Sequence, residues 1–339
     1  MGSVFIDAGV GRNRKYSQGV RLKTPAIIFL IMIRVINRRK GMKTYELLKK
    51  PRRGCWIDVV APKKKEIESI AEHLGIPKED LISCLDEQES PRISKEKYGV
   101  IILIRTPFVK RGELVTLPLG IVIKNGYFLT VQLREVEPIK DFLDGSVRDF
   151  VTDKRTRLLL QIFSRVIASF MYHLKNLEDK IDAIEEHMLG VPKEDAIVEI
   201  WKIRKALIHL NDAVIRNGMV LESVLRGGII KLYREDREII RDLIVENKQL
   251  VRVLNLYTNL IASTTDAYFS LISNRLNIIM KKLTSLALIT SVPMLVSGLY
   301  GMNVKLPLQS HANIFTLLVA FSFMVSLILT LIFRKKHWL

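Results

Sequence analysis

The sequence predicts an α+β membrane protein in three parts: a mixed α/β domain, a long helical stalk and two C-terminal transmembrane helices. Three observations carry that reading. Charge is spread through the 339 residues as far as Lys282, after which 283–304 and 306–333 hold no Asp, Glu, Lys or Arg. Between 31 and 150, β-branched apolar runs alternate with short helical patterns. Between Ile229 and Val292 no Gly or Pro interrupts the chain.

The order of elements follows from local signals. Residues 1–30 read as an N-terminal leader without regular structure, with Met32 an alternative start. The run 25–33 (PAIIFLIMI) is too short to span a bilayer, lacks a small-residue cleavage site after it, and reads as a strand. Trp56–Val60 is a second strand. A helix follows from Pro62 through Leu74 with Gly75 as its cap, and Pro77 opens another through Leu81, Ile82 and Leu85. Val100–Arg105 and Leu119–Ile123 are further strands. Asn125-Gly126, the dipeptide a type I′ turn demands, precedes a last strand over Tyr127–Leu133. These make a mixed α/β domain over 31–150.

From Asp153 the period becomes helical. Leu158, Leu159, Ile162, Phe163, Val166, Ile167, Phe170, Met171, Leu174, Leu177, Ile181 and Ile184 recur at steps of three and four. Gly190 and Pro192 break the run, and a second helix covers 193–225, ended by Gly227-Gly228. The region 151–228 is expected to form an antiparallel hairpin. One continuous helix then runs from about 231 to 299, on the order of 100 Å at 1.5 Å per residue, with 229–282 as stalk.

The membrane region, 283–339, holds spans at about 283–301 and 312–333, each able to cross roughly 30 Å of hydrocarbon. Arg275, Lys281 and Lys282 precede the first span, Arg334, Lys335 and Lys336 follow the second, and the connector holds Lys305. The positive-inside rule places both termini in the cytoplasm and the protein in the cell membrane. Cys55 and Cys84 fit a reducing compartment and offer no thiolate metal site. Of the net charge of +18, residues 1–65 supply +14, from 17 Lys and Arg against 3 acids. In a membrane protein this arm fits anionic lipid better than nucleic acid, and it carries no RNA-binding aromatic signature.

One face of the stalk helix reads Asn259, Ser263, Asp266, Ser270, Ser273, Asn277, Met280, Thr284, Ala287, Ser291, Met294 and Gly298. A repeat of 3.5 residues is the seam of a left-handed helix bundle. This seam is small and polar, and within the membrane it is flanked by Leu283, Leu286, Leu288, Ile289, Leu295 and Val296. Small residues also serve close helix packing. Asp266 and the polar positions below the membrane favour instead a ring of helices around water. Two spans per chain cannot enclose a pore, so the chain must associate with copies of itself, the first span lining and the second facing lipid. At Met280 and Leu283 the stripe turns apolar, as a dewetting gate would.

The first span ends in Tyr300-Gly301-Met302-Asn303. Gly301 permits a tight exit, and a ring of Asn303 amides would offer neutral oxygens to the waters of a hydrated ion. That suits Mg2+, which sheds water reluctantly. Asn is also common at helix ends. Gly301-Met302-Asn303 at the end of the first of two C-terminal spans resembles the signature of the CorA magnesium-transporter family. Arg334-Lys335-Lys336-His337-Trp338-Leu339 resembles that family's basic C-terminus. Trp56-Ile57-Asp58, the helix opening Pro62-Lys63-Lys64-Lys65-Glu66 and Pro91-Arg92 ahead of a strand are similar as well.

The resemblance implies a funnel-shaped homopentamer with an α/β/α cytoplasmic domain. It also implies potential-driven influx of hydrated Mg2+, with Co2+ and Ni2+ as secondary substrates, through a filter of Gly301, Met302 and Asn303. Mg2+ bound between cytoplasmic domains would hold the pore closed. By position, Asp242 matches a regulatory carboxylate and Asp266 an acidic ring low in the pore. Ser83 stands where an acid would help, leaving Asp80, Asp86 and Glu87 as candidate partners of Asp242. The outer loop, Val304–His311, holds Lys305 and no acid. An enzyme is not expected, since no phosphate loop, nucleophile elbow or His-Glu-x-x-His is present. Transport of zinc or another divalent ion on the same fold, and a non-conducting membrane scaffold, are the alternatives.

Overall fold

The structure, a computed structural model, describes residues 33–39, 42, 44–124, 126–147, 149–188, 194–304 and 313–338. The whole leader with Met32, Asn125, the Gly190–Pro192 break, Lys305 with the rest of the outer loop after Val304, and Leu339 lie outside the described residues.

Seven strands form one mixed sheet: β1 (Ile33–Asn37), β2 (Glu46–Leu47), β3 (Trp56–Val60), β4 (Arg92–Glu96), β5 (Gly99–Lys110), β6 (Glu113–Lys124) and β7 (Tyr127–Gln132). Their order is β2-β1-β3-β7-β6-β5-β4, and only the β3–β7 pair is parallel. Side-chain alternation splits the sheet's apolar residues between two cores. Val35, Ile57, Val59, Ile101, Leu103, Val122, Leu129 and Val131 meet α1 (Lys64–Leu74) and α2 (Lys78–Ser83). Ile36, Trp56, Ile102, Ile104, Leu119, Ile121 and Phe128 meet α3 (Glu137–Leu143), α4 (Arg155–Met188) and α5 (Glu194–Arg226). Helices therefore cover both faces.

Several expectations need correction. The N-terminal strand sits at Ile33–Asn37, where Arg34 reaches Asp58, and the earlier part of the apolar run is outside the described residues. β5 and β6 each run 12 residues. The longer hairpin is closed by Arg111 and Gly112, with φ of 52° and 83°, the two positive values a type I′ turn needs. Lacking Asn-Gly, that turn gives no sequence signal, so β5 reads as ending early and β6 as starting late. β4 pairs only with β5, on the sheet edge, and is polar enough to escape notice. Met171 is 48% exposed, while the other eleven residues of its helical series are buried.

The expected hairpin is one part of a three-helix arrangement. α6 (Arg234–Tyr300) is a single 67-residue helix, and α5 packs chiefly against it rather than against α4. α4 and α6 run side by side in the same direction. Arg157 lies 3.8 Å from Asp236, Glu178 bonds Tyr257, and Thr264 bonds Glu185, each pair offset by 79 residues. The steps between these pairs are multiples of seven, so the contacts recur on one face of each helix. Asn247 of α6 donates to the Val214 carbonyl of α5 at 3.1 Å, and Gly218 leaves room where a Cβ would meet the Asn247 amide at 2.6 Å.

Beyond Tyr268 this cover ends. From 269 to 284 every residue of α6 is exposed or half-exposed, including Phe269, Leu276, Ile278, Ile279 and Met280. α7 (Ile314–Lys335) then packs antiparallel to the end of α6, where Ser326 donates to the Ile289 carbonyl at 3.1 Å. Both helices are long and apolar enough to cross a membrane, and only 6% of either apolar segment is buried.

Candidate functional site

α7 covers one side of the first span and leaves the other open. Ser285 is fully buried, and Ile289, Val292, Pro293, Val296 and Tyr300 are half-buried. At about 100° per residue these positions centre roughly 170° from the line through Met280, Thr284, Ala287, Ser291, Met294 and Gly298. All six of the latter are exposed, as are Asn259, Ser263, Asp266, Ser270, Ser273 and Asn277 below them. The predicted seam thus lies within the surface the chain itself leaves bare, which also holds Leu286, Leu288, Leu295 and Leu299. Leu283 lies about 60° off its centre and is exposed. Ile289 and Val296, expected to flank the seam, belong to the α7 contact instead.

Gly301 ends α6 with φ of −82°, an ordinary right-handed value, so the exit needs no left-handed residue. A side chain there would still be tight, because its Cβ would lie 3.1 Å from the Ser297 carbonyl oxygen. Met302, Asn303 and Val304 follow as an exposed turn.

Each acidic candidate outside the stalk already has a partner. Asp80 on α2 accepts a hydrogen bond from the Tyr98 hydroxyl. Asp86 Oδ1 accepts from the Gln88 amide at 2.9 Å, and both Glu87 oxygens lie 3.0 Å from Lys110 Nζ. Asp242 on α6 is exposed and, among the described residues, makes no ion pair with the neighbouring Arg237 or Arg241. Among the described residues of one chain, no three His, Cys, Asp or Glu side chains converge on a metal position. Exposed carboxylates are hard oxygen donors of the type Mg2+ takes, with water completing its shell.

Residues that sequence reasoning passed over hold this acidic segment in place. Arg105 donates to the carbonyls of Glu87 and Glu89 at 2.9 Å each and to Thr116. Its own amide donates to Asn217 Oδ1 at 2.9 Å, and the Asn217 amide returns a bond to the Arg105 carbonyl at 2.8 Å. Burial lowers the Arg105 guanidinium from its ordinary value. Cys84 sits on Gly120, where a Cβ would collide with its sulfur, and burial pushes the thiol up to about 12. The one available signal was an Arg inside an apolar strand.

A buried Asp is the second omission. Asp58 is fully buried in β3 and accepts bonds from Arg34, Thr130 and Gln132. Burial pushes its carboxyl up, against the pull of Arg34 and the hydrogen bonds.

With this geometry in hand, comparison with known proteins decides the family. A family model described as CorA-like Mg2+ transporter protein matches residues 52–335. The chain belongs to the CorA family. The cobalt/magnesium transport protein CorA of Methanocaldococcus jannaschii is 31% identical over 300 residues, covering 85% of this chain and 92% of that protein. The CorA protein of the same name from Thermotoga maritima is 23% identical over 292 residues, covering 84% and 83%. The complete structure of the M. jannaschii CorA magnesium transporter superposes with a TM-score of 0.79 at 29% identity, covering 91% of this chain and 99% of that one. The CorA fold therefore extends over the α/β domain, the long helix and both apolar C-terminal helices.

Proposed function

We propose that five copies of this chain surround a common axis and conduct hydrated Mg2+ into the cell, with Co2+ and Ni2+ as secondary substrates. One observation carries the reading: from Asn259 to Gly298 the line of α6 residues opposite α7 is bare, and apart from Met280 and Met294 it is small or polar. An isolated span would be expected to turn apolar residues outward on every side. The uncovered 269–284 segment supports association, since apolar side chains such as Phe269 and Leu276 would otherwise stand in water. Closure by symmetry around the bare face gives a lumen lined by Asp266, Ser273, Asn277, Thr284, Ala287, Ser291, Met294 and Gly298.

At the outer end, Asn303 carbonyl oxygens accept hydrogen bonds from the waters of the ion, which leaves its inner hydration shell intact. Asp266 concentrates cations at the inner end. Met280 and Leu283 form an apolar constriction whose dewetting stops flow. The cell's membrane potential supplies the driving force, about 2.3 kcal/mol per elementary charge per 100 mV, so a divalent ion gains twice that. Both termini lie in the cytoplasm, where Mg2+ binding between neighbouring copies favours the closed ring.

Proteoliposomes loaded with a Mg2+-sensitive dye test the proposal. Purified protein should admit Mg2+ and Co2+ when the interior is made negative, and Asn303→Ala should abolish uptake while the oligomer stays intact by size. Vesicles that admit Zn2+ in preference would assign a different substrate. No flux at all would favour a scaffold.

A further inference from the structure

Beyond conduction, we infer that the inner end of the α6–α7 pair is a binding site for the phosphate of an anionic phospholipid headgroup. The Ser326–Ile289 contact fixes the register of the two antiparallel helices. Counted from it at equal rise, Lys281 is level with Arg334, and Lys282 and Lys336 lie within two residues of that level. These side chains also straddle the seam between the helices. On α6, Lys281 and Lys282 stand about 40° and 60° to either side of buried Ser285; on α7, Arg334 and Lys336 stand about 80° to either side of buried Ser326. All four are exposed.

No Asp or Glu follows Asp266, so no acidic side chain of the two spans or their flanks neutralises this group. Four cations on two packed helices repel one another, and a phosphate seated between them removes that repulsion. The helix end is also built to hold its level. The Trp338 amide donates to the Phe333 carbonyl at 2.9 Å and the His337 amide to Arg334 at 3.1 Å, with His337 at φ of 55°. This Schellman closure stacks the Trp338 ring on Phe333, with centroids 5.6 Å apart and planes 3° from parallel. An indole fixed beside four cations marks the headgroup layer, where Trp prefers to sit. The occupant is a lipid phosphate rather than a soluble one, because the site opens along a seam whose upper part lies in hydrocarbon.

This inference rests on the reading that α6 and α7 cross a membrane. Its test is retention of phosphatidylglycerol against phosphatidylcholine by the full-length protein, counted per chain by native mass spectrometry after dilution into detergent. Wild type should hold the anionic lipid about tenfold more strongly, since each cation near such a surface contributes measurably. The combined Lys281→Gln, Lys282→Gln, Arg334→Gln and Lys336→Gln variant should lose that preference, and Lys202→Gln on α5 should keep it. A charge-preserving set, Lys281→Arg, Lys282→Arg, Arg334→Lys and Lys336→Arg, should also keep it, which guards against a folding defect. Equal retention of the two lipids by wild type, an unchanged preference in the glutamine variant, or displacement of the lipid by excess inorganic phosphate at constant ionic strength would each overturn the site. Failure to insert into neutral vesicles would instead overturn the membrane reading.

Discussion

Thr264 donates a 2.9 Å hydrogen bond to Glu185, and this contact marks the level at which the stalk leaves the cover of its own chain. One turn later Tyr268 is the last buried residue before Ser285. Seven residues before Thr264, the Tyr257 hydroxyl bonds Glu178, and burial together with that carboxylate pushes it up to about 12. The two bonds hold α4 and α6 in one register.

Removing them should loosen the middle of the stalk. Tyr257→Phe and Thr264→Val are each expected to cost about 0.5–1.5 kcal/mol. The effect should appear as faster amide exchange over 254–268, with little change over 158–170. A raised hydroxyl pKa gives stability that is whole below pH 10 and declines as pH climbs toward 12. Tyr257→Phe should therefore flatten the stability profile in that window.

The seam assignment is testable by accessibility. Cysteine placed at 277, 284 or 291 should react with small aqueous thiol reagents when Mg2+ is low. Cysteine at 289 or 296, under α7, should resist, and so should 286 and 288 in the lipid. Fast reaction at 289 with protection at 291 would put the water on the wrong side.

What was legible in the chain was whatever repeats or stands alone. The uninterrupted run from Ile229 fixes a helix start within a few residues of Arg234, and the 3.5-residue stripe falls on the side of α6 away from α7. WIDVV reads as a strand and is one, residue for residue. Pairings between distant segments were not legible. Asp58 with Arg34, Arg105 with Asn217 and Glu185 with Thr264 are brought together by sheet order and helix register, which no local period encodes. The Arg111-Gly112 turn was missed because only its conformation, with two positive φ values, declares it.

Asp58 makes the α/β domain sensitive to loss of its partner. Arg34→Met would leave a carboxylate buried without its cation and should cost about 3–5 kcal/mol. The double variant Arg34→Met with Asp58→Asn should recover much of that, because no charge is then stranded. Thermal unfolding of the detergent-solubilised protein would show it: the double variant should melt well above Arg34→Met alone.

The regulation proposed above needs a carboxylate that meets Asp242 across the boundary between copies. Among the three candidates, Glu87 has both oxygens at Lys110 and Asp80 is half-buried under the Tyr98 hydroxyl. Asp86 is exposed and accepts one amide through Oδ1, so Oδ2 is the oxygen most available to a metal shared with a neighbour. A bound Mg2+ would then join Asp242 of one copy to Asp86 of the next and favour the closed state by its differential affinity. The pull would reach the stalk directly through Asp242, and through Arg105 and Asn217 to α5. Asp242→Asn and Asp86→Asn should each leave conduction intact, raise the Mg2+ concentration needed for closure, and weaken the protection from proteolysis that Mg2+ gives. The double variant should shift closure no further than the worse single one, since both remove the same bridge. Glu87→Gln should change closure little. Full closure of Asp86→Asn at the wild-type Mg2+ concentration, beside a weakened Glu87→Gln, would transfer the role to Glu87.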